Sequence, residues 1–230
     1  MQTHSIPVVA HQQTRPIAPT RRSLSGTYPL RNGDGIPYES LLERDFLARM
    51  TFSSHVCDVI AQPVQIPFHG DGARIHTYTP DFLINYQLCD CQFGNYPVPL
   101  LVEVKPRDLW VKNWRKWLPK WKAAWRYARE QGWAFHIYDE SRIRDTGFAN
   151  IQFLDRYKAM DFSREESEWV VQTVREAGSV PVHYLLAIHF AGIYRGRGIS
   201  HIWHLIATRQ LDCDIRQPLN DFLDVWIPSP

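Results

Sequence analysis

The chain predicts a mixed α/β domain followed by a smaller, mainly helical one. Three observations carry this. Val59 to Phe68 and Ala73 to Tyr86 read as the strands of a hairpin about the turn His69-Gly70-Asp71-Gly72, since Val64, Ile66 and Phe68 alternate with Gln65 and Pro67. Leu100 to Lys105 is a short, almost wholly apolar run stopped by Pro106, as expected of a strand covered on both faces. From Asp161 onward three short helices precede a short alternating strand, Leu211, Cys213 and Ile215, which is the element order of a winged-helix module.

The remaining elements follow in order. Residues 1–35 carry Pro7, Pro16, Pro19 and Pro29 with Arg15, Arg21, Arg22 and Arg31 and few large apolar side chains, so they read as a flexible basic arm: either a tail without a task or an arm laid on DNA or a partner. Tyr38 to Met50 reads as a helix, with Glu39 and Glu43 on one face and Leu42 and Phe46 on another. The 88–99 segment is a polar loop with Pro and Gly. A helical stretch runs from Pro106 to about Gln131, where Gly132 ends it, and Pro119 suggests two helices or one with a break. Trp133 to Tyr138 is a second buried strand, and Asn150 to Met160 a helix closing the first domain. Ser163 and Glu166 form a capping box for a helix to about Ala177; Pro181 starts another through Phe190, and Ser200 a third through Thr208. The predicted division is therefore an arm (1–35), an α/β domain (36–160) and a C-terminal domain (161–230).

Composition bounds the function. A chain of 230 residues, 44% hydrophobic and 22% charged, is long and apolar enough to be globular. No run approaches about 18 apolar residues, so no membrane span is expected. The N-terminus lacks a basic-then-apolar signal pattern. Cys57, Cys89, Cys91 and Cys213 form no disulfide framework, which fits a reducing compartment, and Cys89-x-Cys91 lacks the second pair of a zinc site. Net charge is only +2, yet residues 105–129 hold nine Lys or Arg against one acid, Asp108. Arg107, Lys112, Arg115, Lys116, Lys120 and Lys122 are the candidates for contact with a phosphate backbone, the alternative being a solvated helix face. Trp110, Trp114, Trp117, Trp121 and Trp125 recur at helical spacing and read as one core stripe rather than a base-stacking platform. His201 and His204 lie three apart with no third metal ligand in view.

The most informative pattern is Pro80-Asp81, then, after residues 82–102, Glu103-Val104-Lys105. Alternation on a strand turns Glu103 and Lys105 the same way and Val104 into the core. With Asp81 on a neighbouring strand, two carboxylates and an ammonium meet. Cutting a phosphodiester needs a nucleophile and stabilisation of phosphate charge, and a divalent ion held by carboxylates supplies both. Asp81 is the expected central metal ligand, Glu103 the second and the Val104 carbonyl a third. Lys105 would touch the attacking water or the phosphate. Glu43 would complete a second metal position or orient water, with Glu39 one turn away as its alternate. A surface ion pair at a strand end remains the competing reading of this short pattern.

Ser40-Leu41-Leu42-Glu43-Arg44-Asp45-Phe46, Gln62-Pro63-Val64, Tyr78-Thr79-Pro80-Asp81-Phe82-Leu83, Leu101-Val102-Glu103-Val104-Lys105-Pro106 and Gly132-Trp133 occur in order. Together they resemble TnsA, the endonuclease subunit of heteromeric cut-and-paste transposases, over about residues 25–160 and more weakly to residue 230, through Ile202 to Ala207 and Asp212-x-Asp214. The resemblance implies a restriction-endonuclease-like core, a mixed sheet flanked by helices, followed by a small winged-helix-like domain. It implies Mg²⁺-dependent cutting of the 5′ strand at each transposon end, with Mn²⁺ as a substitute. The partners it implies are DNA, a TnsB-like transposase that cuts the 3′ strands and a TnsC-like AAA+ ATPase, and the setting a bacterial cytoplasm, at the nucleoid. The family's helix acid falls on Glu43, its aspartate on Asp81 and its (Glu/Gln)-x-Lys pair on Glu103 and Lys105. Where some members carry an acid in the following helix this chain has Lys122, which tells against a metal role there. The C-terminal domain, led by Glu165, Glu166 and Glu168, is expected to carry the ATPase or transposase contact. A stand-alone restriction or repair nuclease and a non-catalytic DNA-binding adaptor are the alternatives.

Overall fold

A computed structural model describes residues 25–30, 35–70, 74–87 and 97–228. Cys89, Cys91, most of the 88–99 loop and most of the arm lie outside the described residues. The chain divides into two compact units, the first from residues 1–47 and 55–140, the second from residues 48–54 and 141–230.

In the first unit, β1 (Gly26–Pro29) pairs antiparallel with β2 (Gly35–Tyr38), so the last part of the expected arm is a hairpin strand. Then come α1 (Leu41–Phe52), β3 (Val56–Ala61), β4 (Ile66–His69), β5 (Ile75–Tyr78), β6 (Phe82–Tyr86), β7 (Leu100–Val104), α2 (Arg107–Glu130) and β8 (Ala134–Tyr138). The central sheet has the order β3-β6-β7-β8, antiparallel except for β7 and β8, which are parallel and joined through α2. The expected single hairpin is resolved into two pairings. Ile66–His69 pairs with Ile75–Tyr78, and β3 pairs with β6. Asp81 therefore sits at the bend between β5 and β6, not inside a strand. Pro80 cannot donate to a ladder, and the chain changes sheet there.

β7 is buried at every position, as its apolar run predicts. Phe82 and Val102 are directly paired, as are Leu83 and Leu101, so alternation assigns the two faces. On one face Phe46 of α1 stacks on Phe82 at 5.5 Å and meets Tyr138 edge-on at 5.1 Å. On the other, Leu83 and Leu101 pack with Trp121, Ala124 and Ala128 of α2 and with Ile66 and Tyr78. That packing keeps α2 continuous through Pro119, which was expected to interrupt it. The tryptophan stripe divides. Trp110, Trp117 and Trp121 pack inward, while Trp114 and Trp125 are about half exposed. A step of four residues advances about 40° around a helix, so those two drift to the rim. Gly132, at φ +74°, and the Trp133 N–H donating to Ala128 O at 2.7 Å close the helix.

The second unit contains a short helix α3 (Glu140–Ile143, its first residue in the first unit), α4 (Thr146–Lys158), α5 (Arg164–Ala177), β9 (Ser179–Pro181), α6 (Val182–His189), a 3₁₀ turn (Gly192–Tyr194), α7 (Arg195–Ala207), β10 (Asp212–Cys213) and β11 (Asp224–Trp226). The strands form an antiparallel sheet of order β10-β11-β9. Ser163 caps α5, its Oγ accepting from the Glu166 N–H as the capping box predicts. Two boundaries differ from expectation. α4 was assigned to the first domain, but Ile151 and Leu154 are buried with Ile202, Leu205 and Ile206 of α7, so it belongs to the second unit and the division falls near residue 140 rather than 160. α7 begins at Arg195, a turn before Ser200, where Gly198 lets the helix lie against the Phe190 ring. Among the described residues no helix is long and apolar enough to cross a membrane.

Candidate active site

The end of β7 and the bend before β6 bring the expected residues together. Asp81 is pinned by its backbone: its N–H donates to Val102 O at 2.9 Å and its carbonyl accepts from the Gln62 N–H at 2.8 Å. Its carboxylate Oδ2 accepts from the Val104 N–H at 2.7 Å and lies 3.5 Å from Lys105 Nζ. Oδ1 makes no hydrogen bond within the described residues. Lys105 Nζ is also 3.6 Å from Glu103 Oε1, so one ammonium spans both carboxylates. The Lys105 N–H donates to Tyr138 O at 3.0 Å, which extends the β7–β8 pairing to the lysine and fixes where its side chain starts.

Glu103 is almost fully buried, and both of its oxygens are occupied by protein donors. The Tyr78 hydroxyl donates to Oε2 at 2.5 Å, and Lys120 Nζ lies 2.7 Å from Oε1. Sequence reasoning did not find Tyr78, and it placed Lys120 on the DNA-facing side. The structure turns Lys120 inward, with its ammonium 4.6 Å from the Tyr78 ring centre, 5.1 Å from that of Trp117 and 5.7 Å from that of Trp121. One signal was legible: Lys120 follows Trp117 by three and precedes Trp121 by one, at the edge of the stripe that faces the sheet.

Glu43 has a structural use. Its Oε2 accepts from the Glu39 N–H at 2.7 Å and its Oε1 from the Ser40 hydroxyl at 2.9 Å, while Ser40 Oγ accepts from the Glu43 N–H at 3.2 Å. This is a capping box at the start of α1. Glu43 still acts on the site electrostatically, contributing to the shifts at both Asp81 and Lys105. Glu39 is half-buried, its Oε1 accepting from Gln62 Nε2 at 3.4 Å.

The electrostatics follow from burial of acids beside one another. Burial, then Glu103 and Glu43, push Asp81 up to about 8, against Lys105 and the Val104 N–H, which pull it down. Burial raises Glu43 above the usual carboxylate range, despite its bonds to Glu39 and Ser40 and the charge of Lys105. Burial opposes the charge on Lys105, but Asp81, Glu103 and Glu43 outweigh it and raise the lysine. Burial first, then Glu103 and Asp81, raise Tyr78, which keeps its phenol a neutral donor. Such a crowd of buried carboxylates has the donor chemistry that suits a divalent cation. Among the described residues, no three His, Cys, Asp or Glu side chains already stand as a metal-holding group.

The other basic candidates divide. Lys112, Arg115, Lys116 and Lys122 are exposed on α2, Arg115 lying over the Trp114 ring at 5.4 Å. Arg107 is tied back: its Nη1 lies 3.4 Å from Asp139 Oδ2, and its N–H donates to Glu140 Oε2 at 2.9 Å. Arg115, Lys122 and Arg126 line a groove whose other wall is Ile66 to His69 of β4.

A mixed sheet flanked by helices, with an aspartate at a strand bend and a Glu-x-Lys strand end beside it, defines the restriction-endonuclease-like class of nucleases. Comparison with known families makes the assignment specific: residues 53–140 match the TnsA-like endonuclease N-terminal model, and residues 142–215 match the TnsA endonuclease C-terminal model. The chain belongs to the TnsA endonucleases, the endonuclease subunits of transposases. Among curated proteins, none matches the chain.

Proposed function

We propose that this chain hydrolyses the 5′ strand at each transposon end, using Mg²⁺ or, in its place, Mn²⁺, within a complex that includes a TnsB-like transposase and a TnsC-like AAA+ ATPase. The observation that carries the reading is Lys105 Nζ standing 3.5 Å from Asp81 and 3.6 Å from Glu103. Asp81, Glu103 and the Val104 carbonyl are the oxygens that would hold the cation. A bound divalent ion would supply a water of lowered pKa and offset charge on the phosphate oxygens. Lys105, kept protonated by three carboxylates, is the donor for the scissile phosphate or the attacking water. Glu43 holds the start of α1 and adds negative charge behind Asp81, a more modest role than ligation of a second metal.

The exposed Lys112, Arg115, Lys116 and Lys122 support a path for the DNA backbone along α2. In the second unit the order helix, strand, helix, helix and two-stranded ribbon, with the first strand paired to the last, supports the winged-helix reading. We assign to that unit the contact with the ATPase or the transposase. A DNA substrate of this kind supports a cytoplasmic setting, at the nucleoid when active. The test is strand-specific cutting of an end-labelled transposon end by the assembled complex. Asp81→Ala and Lys105→Ala should each abolish 5′ cutting and leave assembly intact. Wild-type 5′ cutting by either variant removes that residue from the mechanism. Digestion of DNA by the purified chain alone would instead mark a stand-alone nuclease.

A further inference from the structure

We propose that Lys120 is a built-in counter-ion of Glu103, whose ammonium competes with an incoming divalent cation for the Oε1 oxygen. This rests on the reading that Asp81 and Glu103 hold the metal, and it assigns a role to a residue outside the Pro-Asp…Glu-x-Lys pattern.

Three observations lead to it. The first is occupancy. Glu103 offers two oxygens, and both are already bonded inside the protein, Oε2 to the Tyr78 hydroxyl at 2.5 Å and Oε1 to Lys120 Nζ at 2.7 Å. The second is rank. Lys105 is 3.6 Å from the same Oε1 and divides its charge with Asp81, so the closer ammonium is the one from α2. A carboxylate oxygen bonded to an ammonium at that distance has to give up the bond, or share it, before a cation can take it as a ligand.

The third is the surroundings of Lys120. The faces of Tyr78, Trp117 and Trp121 surround its ammonium at 4.6 to 5.7 Å. Aromatic faces attract a cation without using an acceptor oxygen. Lys120 can therefore leave Oε1 and keep a favourable setting a short distance away, with no full return to water. Tyr78 belongs to both arrangements, since its hydroxyl holds Oε2 while its ring faces the ammonium. α2 thus presents a cation to the site, Lys120 Nζ at 2.7 Å from Glu103 Oε1. Its charge compensates Glu103 and sets a threshold for metal entry.

The experiment is calorimetric titration of Mn²⁺ into the full chain as wild type, Lys120→Met, Lys120→Arg and Asp81→Ala. Removing a unit charge so close to a metal ligand should tighten Mn²⁺ binding about tenfold or more in Lys120→Met. Lys120→Arg, which keeps the charge, should stay within about threefold of wild type. Asp81→Ala should lose binding. If Asp81→Ala loses binding while Lys120→Met binds no more tightly than wild type, the competition is refuted and the metal reading stands. If Asp81→Ala binds as wild type, the metal reading fails and this inference with it. A second measurement needs no substitution. The side-chain ammonium ¹⁵N resonance of Lys120 in the wild-type chain should move on saturation with diamagnetic Mg²⁺, as its bond to Glu103 Oε1 is lost, while that of exposed Lys112 stays in place. An unmoved Lys120 resonance at saturating Mg²⁺ overturns the proposal.

Discussion

Replacing Tyr78 by phenylalanine removes one oxygen and leaves the ring, its packing and its face toward Lys120 in place. That oxygen donates to Glu103 Oε2 at 2.5 Å, between a tyrosine 6% exposed and a glutamate 1% exposed. No water replaces it readily at such burial. A hydrogen bond to a charged group contributes about 1.5–3 kcal/mol, and the substitution also leaves a buried oxygen unsatisfied, so the expected loss lies at the upper end, about 2–3 kcal/mol. For a chain of this size each kcal/mol moves the midpoint by about 2–4 °C, which gives a drop in Tm of about 4–12 °C. Tryptophan fluorescence is the suitable probe, because Trp117 and Trp121 lie in the same core as Tyr78. The control is the same substitution in a Glu103→Gln background. The amide oxygen still accepts the phenol, but as a neutral pair, and the cost of Tyr78→Phe should fall to about 1 kcal/mol. A loss below about 0.5 kcal/mol in the wild type, or an equal loss in both backgrounds, would show that the phenol does not hold a charged Glu103.

Three further outcomes are expected. Gly198→Ala should cost about 1–3 kcal/mol by overpacking, because a methyl group there runs into the Phe190 ring; urea denaturation at unchanged stability would discount that close approach. Burial lowers His201 to about 4, with Glu166 opposing and His204 and Arg197 adding to the shift, while Ser167 shares its Nε2 at 2.8 Å. The unfolded chain then binds the proton first as pH falls. His201 should therefore subtract stability between about pH 6.5 and 4, with a slope of up to about 1.4 kcal/mol per pH unit, and His201→Gln should flatten the acid limb of a stability–pH curve; an unaltered limb would exclude His201 as its cause. Lys112→Ala and Lys116→Ala should each lower the slope of log binding constant against log salt for duplex DNA by about 1, and a slope equal to wild type in both would take this face of α2 off the DNA path.

The sequence by itself determined the features that depend on near neighbours. Alternation put Glu103 and Lys105 on one side of a strand, an apolar run marked β7 as buried on both faces, and Ser163 with Glu166 marked the start of α5. That Asp81, Glu103 and Lys105 would meet was legible because their chemistry and spacing are local facts. Only the tertiary structure decided which other groups meet them. Tyr78 and Lys120 reach Glu103 across 25 and 17 positions of chain. Whether Lys120 or Lys122 turns inward depends on how α2 is rotated against the sheet. Two residues are about 200° apart on a helix, so that rotation settles which lysine is a solvated cation and which a buried partner. The same holds for Glu43, whose oxygens serve the start of its own helix, and for α4, whose apolar residues share a core with α7. Such choices are made by competing partners distant in the chain, and a pattern of neighbours carries no record of which partner wins.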